Sequence, residues 1–209
     1  AIGLAALWAM RPPRIPPRAD TQPVGTAESE PAPSVPPITS TDPVRGSTRA
    51  PITIVEVADF TCPACAAASD ILSAIVRSQP NRVRIIWKDL PLLDRLTGSR
   101  ALHVAARCAQ RLGGNGAFWS YHDVLFQTHP REESALTALA TSLGISETEF
   151  RTCVQATTTS SAAAVIAANA AAAARAHITA TPTFFINGIL LTEPPTREAF
   201  ERLISTPPT

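Results

Sequence analysis

The tetrapeptide Cys62-Pro63-Ala64-Cys65 constrains this chain more than any other stretch because of what flanks it. An apolar, β-like run, Ile52-Thr53-Ile54-Val55-Glu56-Val57-Ala58-Asp59-Phe60, leads in, and an Ala-rich helical run from Ala66 to Val76 leads out. Far downstream, Thr181-Pro182-Thr183 stands directly before a second β-like run, Phe184-Phe185-Ile186-Asn187-Gly188. A strand, a CxxC opening a helix and a late Thr-Pro before another strand point to thiol–disulfide chemistry. The thiolate is the species that attacks or leaves in disulfide exchange. At a helix start, Cys62 faces unpaired backbone N–H groups and the positive end of the helix dipole, both of which favour the anion. Its pKa is therefore expected below the free value of about 8.5. Pro63 suits the first helical turn, where its missing N–H costs nothing. Cys65 falls one turn further in, more buried and less ionised. Cys62 is thus the candidate attacking sulfur, and Cys65 the sulfur that resolves a mixed disulfide.

A CxxC can also be half of a zinc site or an ordinary disulfide. Zinc takes four ligands, usually with a second close pair. The two other cysteines, Cys108 and Cys153, stand in neither a CxxC nor a CxxH. Four cysteines are an even number, which favours an oxidising compartment. No metal site is expected from His103, His122, His129 and His177, which are unclustered in sequence. His122 lies in an aromatic stripe, Phe118 to Phe126, that reads as core. The formal net charge of +1 gives no reason to expect a nucleic-acid partner or a strongly acidic one.

The 209 residues can hold one sizeable domain with a tail to spare. Residues 1–10 are apolar and uncharged, with Arg11, Arg14 and Arg18 following. Ten residues are too few to span a bilayer, which needs about 20. They read as the remnant of a signal peptide or membrane anchor, and thus as a possible tether. Residues 11–47 carry half of the 20 prolines and almost no large apolar side chains, and are expected to be a disordered linker. The folded domain is expected over residues 48–209. Within it the pattern predicts strands at Ile52–Ala58 and Arg82–Trp87 around a Cys62–Ser78 helix. Helices follow at Ser99–Leu112, Gly116–Gln127, Ser134–Leu143, Ser146–Val154 and Thr159–Ala176. A hairpin turning at Asn187-Gly188 and a closing helix at Thr196–Ile204 complete the chain. This is an α/β class with a mixed central sheet and an inserted helical subdomain at about residues 97–177.

Four segments together resemble the DsbA-like branch of the thioredoxin superfamily. They are Glu56 to Cys65, Lys88-Asp89-Leu90-Pro91-Leu92, Phe118 to Phe126 and Thr179 to Gly188, and they spread over the whole folded part. The resemblance implies a thioredoxin-like fold with Pro182 in cis, and a redox-active Cys62–Cys65 disulfide in place of a separate cofactor. It implies an extracytoplasmic protein, of the periplasm or cell envelope, that introduces or moves disulfides in folding, cysteine-containing secreted proteins and is recharged by a membrane redox partner. Pro63, Ala64, Thr181 and Pro182 become the expected substrate-binding residues, the Thr181 backbone pairing with an extended substrate segment. Glu56, in an otherwise apolar strand, becomes a candidate catalytic acid–base for the Cys65 proton, its pKa raised by desolvation. A strand-edge glutamate reaching solvent is the alternative. Lys88 could pair with Glu56 or sit solvated at a strand end. Some relatives carry a second, structural disulfide in the helical insertion. Joining Cys108 to Cys153 would close a 45-residue loop, and two buried free thiols are the alternative.

Two departures bear on the direction of exchange. The best-known family oxidase has His where this chain has Ala64, which argues against strong oxidising power. Thr181 before the cis proline is also seen in disulfide isomerases, yet nothing here resembles the separate dimerisation domain of bacterial isomerases, and a monomer is expected. Dithiol oxidase is therefore the leading expectation. Reductase or isomerase action and a non-catalytic thiol metallochaperone or binding module are the alternatives.

Overall fold

Strand β2 (Ile52–Ala58) is the centre of the sheet, and every residue but Thr53 is buried. The computed structural model describes residues 31–92, 98–130, 132–156 and 160–205. The apolar N-terminal segment and the linker up to residue 30 lie outside the described residues. From β2 the chain enters α1 (Pro63–Ser78), whose buried residues Cys65, Ala68, Ser69, Leu72, Ser73, Ile75 and Val76 recur at helical spacing. It returns through β3 (Val83–Asp89), parallel to β2. After the helices α2 (Ser99–Thr128), α3 (Glu133–Ser142), α4 (Glu147–Gln155) and α5 (Ser161–Arg175), β4 (Thr183–Ile186) pairs antiparallel with the other side of β2. A short β5 (Ile189–Leu190) continues the hairpin, and α6 (Arg197–Ser205) closes the chain. With the edge strand β1 (Val44–Arg45), antiparallel to β3, the order is β1-β3-β2-β4-β5. This is the expected mixed sheet, with helices intervening between β3 and β4 among the described residues.

The pleat sorts side chains between two cores. Ile52, Ile54, Val83, Ile85, Trp87, Phe184 and Ile186 pack with residues of α1, α2 and α6. Val55, Val57, Ile86 and Phe185 face Ala173 of α5 and the residues just after it, Ala176 and Ile178. The hairpin turn at Asn187 and Gly188 has φ of 47° and 89°, the doubly left-handed geometry of a type I′ turn. Ser146 caps α4 by accepting from the Glu149 N–H, as its sequence pattern predicts. The two helices expected on either side of Gly113-Gly114 are both present within α2, parted by a kink at Gly114 (φ 79°, ψ −171°), a conformation open to glycine.

The boundary expected at residue 47 lies too far along the chain. Val44 and Arg45 join the sheet, and Asp42 is buried against the only lysine. The side-chain amide of Asn115, just past the α2 kink, accepts from the Val44 N–H (2.8 Å) and donates to the Val44 carbonyl (2.7 Å). A few specific polar partners order this segment, which composition cannot show. Among the described residues no helix is long and apolar enough to cross a membrane.

Cys108 of α2 and Cys153 of α4 form a disulfide, both sulfurs buried in the helical layer. It closes a loop of 45 residues, for which the chain-entropy model gives up to ~4 kcal/mol. We expect the Cys108→Ala, Cys153→Ala double variant to lose most of that in urea unfolding. An unfolding midpoint equal to the parent's would show that the bond adds nothing to the packed helices.

Candidate active site

Cys62 is the N-cap of α1, extended at φ −86° and ψ 116°, with Pro63 at the first helical position. Its carbonyl accepts from the Cys65 and Ala66 N–H groups at 3.1 and 3.2 Å, so the helix begins directly behind the sulfur. Ordinary N-cap residues offer a side-chain oxygen to the free amides of the first turn, and here a sulfur occupies that place. The Cys65 thiol, and then the Cys65 amide, Thr181 and the Ala64 amide, favour the anion, outweigh partial burial and hold the Cys62 pKa at about 6, although the sulfur accepts no side-chain capping hydrogen bond from the first turn. Cys65 is fully buried, and burial pushes its thiol far up, helped by its own hydrogen bond to Cys62 and by the nearby Glu56. One sulfur therefore ionises near neutrality and the other does not. Both are free thiols in this structure.

The Thr181–Pro182 peptide is cis, and the Cys62 Sγ lies 3.4 Å from the Thr181 carbonyl. Residues 119 positions apart thus meet at the tip of the sheet, bringing together all four of Pro63, Ala64, Thr181 and Pro182 around the reactive sulfur. Pro63 and Ala64 are exposed, and Thr181 and Pro182 are half-buried.

Beneath this tip lies a buried polar hub. Asp59 accepts from the Thr61 N–H and hydroxyl (both 2.8 Å), the Ser99 hydroxyl (2.6 Å) and the Leu92 N–H (2.9 Å), while its carbonyl accepts from the Cys62 N–H (3.1 Å). It thereby fixes the loop that presents Cys62. His103 stands between two carboxylates, with Nε2 3.8 Å from Asp59 and Nδ1 2.7 Å from Asp89. Asp89 also accepts from Arg107 Nε (2.7 Å), Trp87 Nε1 (2.9 Å) and Asn169 Nδ2 (3.0 Å). Burial alone would raise the Asp89 pKa, but Arg107 and His103 hold it well below the usual carboxylate range; the same two carboxylates raise that of His103 against its burial. His103 is therefore not an isolated histidine. Its spacing of four from Arg107 on an otherwise apolar helix was the available signal. Among the described residues no group of three or more His, Cys, Asp and Glu side chains is placed to hold a metal ion.

Glu56 is 1 % exposed and its Oε1 has no hydrogen-bond partner. Its register neighbours are Trp87 on β3 and Phe184 on β4. Burial pushes its carboxyl up to about 8, with Arg45 working against the rise and Cys62 adding to it. Lys88 neither pairs with Glu56 nor reaches solvent. It projects from the opposite face of β3, where its Nζ donates to Asp42 and to the Pro37 carbonyl, each at 2.5 Å. His122 is core, ringed by Phe60, Trp87, Trp119 and Phe126, and burial lowers its pKa to about 4.

A family described as Thioredoxin has a sequence model that matches residues 39–206. Over 148 residues the chain is 33 % identical to the Na(+)/H(+) antiporter NhaA 1 of Salinispora arenicola, covering 70 % of this chain and 22 % of that protein. The chain thus spans about a fifth of the length of such antiporter relatives. It is 26 % identical over 150 residues to Disulfide bond formation protein D of Bacillus subtilis, covering 69 % of this chain and 67 % of that one. Among solved structures, oxidised BdbD from Bacillus subtilis superposes with a TM-score of 0.69 at 24 % identity, covering 83 % of this chain and 96 % of its own. MdbA, a thiol-disulfide oxidoreductase from Corynebacterium diphtheriae, gives 0.65 at 18 % identity, covering 85 % and 96 %. These likenesses establish a shared fold.

Proposed function

Because the chain belongs to the thioredoxin family, we propose that it is an extracytoplasmic thiol–disulfide oxidoreductase of DsbA type, working through a Cys62–Cys65 redox pair. The observation that carries this is the Cys62 sulfur, seated at a helix N-terminus and bonded to the Cys65 thiol, 3.4 Å from the carbonyl before the cis proline. In the oxidising direction a substrate thiolate attacks Cys62 Sγ of the disulfide. A Cys62–substrate bond forms, the Cys62–Cys65 bond breaks, and Cys65 leaves with the electron pair and takes a proton from Glu56. A second substrate thiolate then attacks the substrate sulfur and expels Cys62 as a thiolate. The substrate loses two electrons and the pair gains them. A low Cys62 pKa makes that sulfur the better leaving group.

Clients are folding proteins with free cysteines, bound as extended segments against Thr181. A membrane redox partner reoxidises the pair. The second disulfide, Cys108–Cys153, supports an oxidising compartment. The Cys62 value of about 6 lies between the about 7 of thioredoxin and about 3.5 of DsbA, so an oxidant of intermediate strength is expected.

Two measurements test this. Thiolate absorbance, or alkylation rate against pH, should give a Cys62 midpoint near 6, whereas a midpoint near the free value of about 8.5 removes the helix-terminus account. Equilibration with glutathione should place the potential well above about −270 mV; a value there or below overturns the oxidase direction. RNase refolding with no catalysis, together with stoichiometric Cu(I) or zinc binding, would favour a metallochaperone instead.

A further inference from the structure

The cation that opposes the rise of the Glu56 carboxyl, Arg45, comes from β1, the strand that composition assigned to the linker. In-register residues of neighbouring strands point to the same face of a sheet. Arg45 pairs with Ile85, which pairs with Ile54, and Glu56 pairs with Trp87 two residues further along the same face. Arg45 and Glu56 therefore share the side that α1 and α2 cover, and Lys88 does not. The Arg45 guanidinium donates to the Ser73 hydroxyl of α1, to the Trp119 carbonyl (3.3 Å) and to Asp123 (2.7 Å) of α2. Its carbon lies 4.3 Å from the centre of the Trp119 ring. Asp123 is also bonded to His122 Nδ1 at 2.9 Å. In the same layer Glu56 Oε1, Trp119 Nε1 and His122 Nε2 are buried without hydrogen-bond partners, so charges here are little screened by water.

We propose that Arg45 is a positioning residue that sets the charge state of Glu56, and that Asp123 controls how much of the guanidinium's charge Glu56 feels. The inference rests on the thiol–disulfide reading and deepens it. The other groups facing Glu56 are accounted for. Cys62 and Cys65 approach from α1, and their charge changes are those of the reaction itself. His103 and Arg107 of α2 are taken up by Asp59 and Asp89. Buried His122 is held neutral. The β4 residue opposite Glu56 is Phe184, which carries no charge. In the resolving step the Cys65 proton passes to the Glu56 carboxylate. Cys65 Sγ bonds to Cys62 Sγ, and the substrate thiolate leaves with the electrons of the broken bond. Glu56 must be ionised to begin this step, so resolution should rise with pH through the Glu56 pKa, which burial raises above the usual carboxylate range. Losing Arg45 moves that rise to higher pH. Losing the Asp123 charge strengthens the cation and moves it to lower pH.

The test loads Cys62 as a mixed disulfide with thionitrobenzoate and follows release of the coloured thiol against pH by stopped flow. This isolates Cys65 attack from Cys62 ionisation. We expect the wild-type midpoint at or below about 8, because Cys62 carries no charge in the mixed disulfide, a rise of about one pH unit for Arg45→Gln and a fall of roughly half a unit for Asp123→Asn. Arg45→Lys should restore most of the wild-type value, and Lys88→Gln should leave the midpoint in place. The half-exposed Asp123 keeps the test decisive if Arg45→Gln fails to fold, since its shift has the opposite sign from simple loosening of the site. Midpoints unmoved by both substitutions, or moved in the same direction, overturn the inference alone. Wild-type protein that releases no thiol overturns the underlying exchange reading and the inference with it.

Discussion

We expect the Cys65→Ser variant to accumulate covalent adducts with cysteine-containing proteins, and Cys62→Ser to form none and to lose exchange activity. Only Cys62 combines partial exposure with a pKa near 6. At pH 7 ionisation alone gives it about 30 times the thiolate of an ordinary thiol with a pKa of about 8.5. Cys65 is fully buried and its pKa is driven upward, so it cannot substitute as the attacking sulfur. It can expel a partner only from inside, once Cys62 carries one. A serine at that position keeps a hydroxyl donor for Cys62 but cannot complete the exchange, so the adduct persists. Cys65→Ala should trap adducts as well and should also raise the Cys62 pKa, because the donor is gone. Nonreducing electrophoresis with mass identification of the attachment site reads both results. Adducts on Cys65, or none on either variant, would end the division of labour between the two sulfurs.

The second large effect concerns stability. Asp89→Asn should cost about 3–5 kcal/mol, the range for breaking a buried ion pair from one side. Asp89 is fully buried and accepts from His103, Arg107, Trp87 and Asn169. An amide in its place leaves the Arg107 and His103 charges uncompensated. For a domain of this size the unfolding temperature should drop by roughly 10 °C or more. Asp123→Asn, at a carboxylate with 38 % of its side chain exposed, should cost less than about 1 kcal/mol. The hub also has a pH signature. The Asp89 pKa is lowered by folding, so its contribution is present above 3.8 and fades as pH falls through the folded value. The His103 pKa is raised, so its contribution is present below 6.5 and fades as pH rises through the folded value. The hub therefore stabilises most between pH 3.8 and 6.5, and urea midpoints across that range should show the largest gap between parent and Asp89→Asn. A gap that stays equal as pH rises past the folded His103 value would mean that the His103 charge adds nothing to the loss, leaving the Arg107 pair and packing to account for it.

Local patterns were legible in the chain because local chemistry determines them. Cys62 as helix cap, Ser146 as cap and the Asn187-Gly188 turn each follow from a few adjacent residues. The succession of strands and helices along the chain, β1 apart, followed from their periodicity. What stayed hidden depends on which face a residue chooses. Lys88 and Trp87 are neighbours in sequence, yet the pleat sends one to Asp42 and the other to the Glu56 side. His103 and Arg107 look like ordinary helical polar residues until β2 and β3 deliver Asp59 and Asp89 to them. Val44 and Arg45 sit amid prolines, and their place in the sheet is fixed by Ile85, Ile86 and Asn115, which only tertiary structure supplies.

Asn115 has a consequence for how the molecule behaves in a crowd. By occupying both main-chain groups of Val44, one carboxamide removes the template that an outer strand would offer a stranger. Fibril growth or strand-swapped polymers on that flank must first dislodge it. On the opposite flank, where Ile189 lies 59 % exposed, no such plug is seen among the described residues. Any self-recruitment through the sheet is thereby steered to a single side, which keeps the molecule dispersed along one border while leaving the other open.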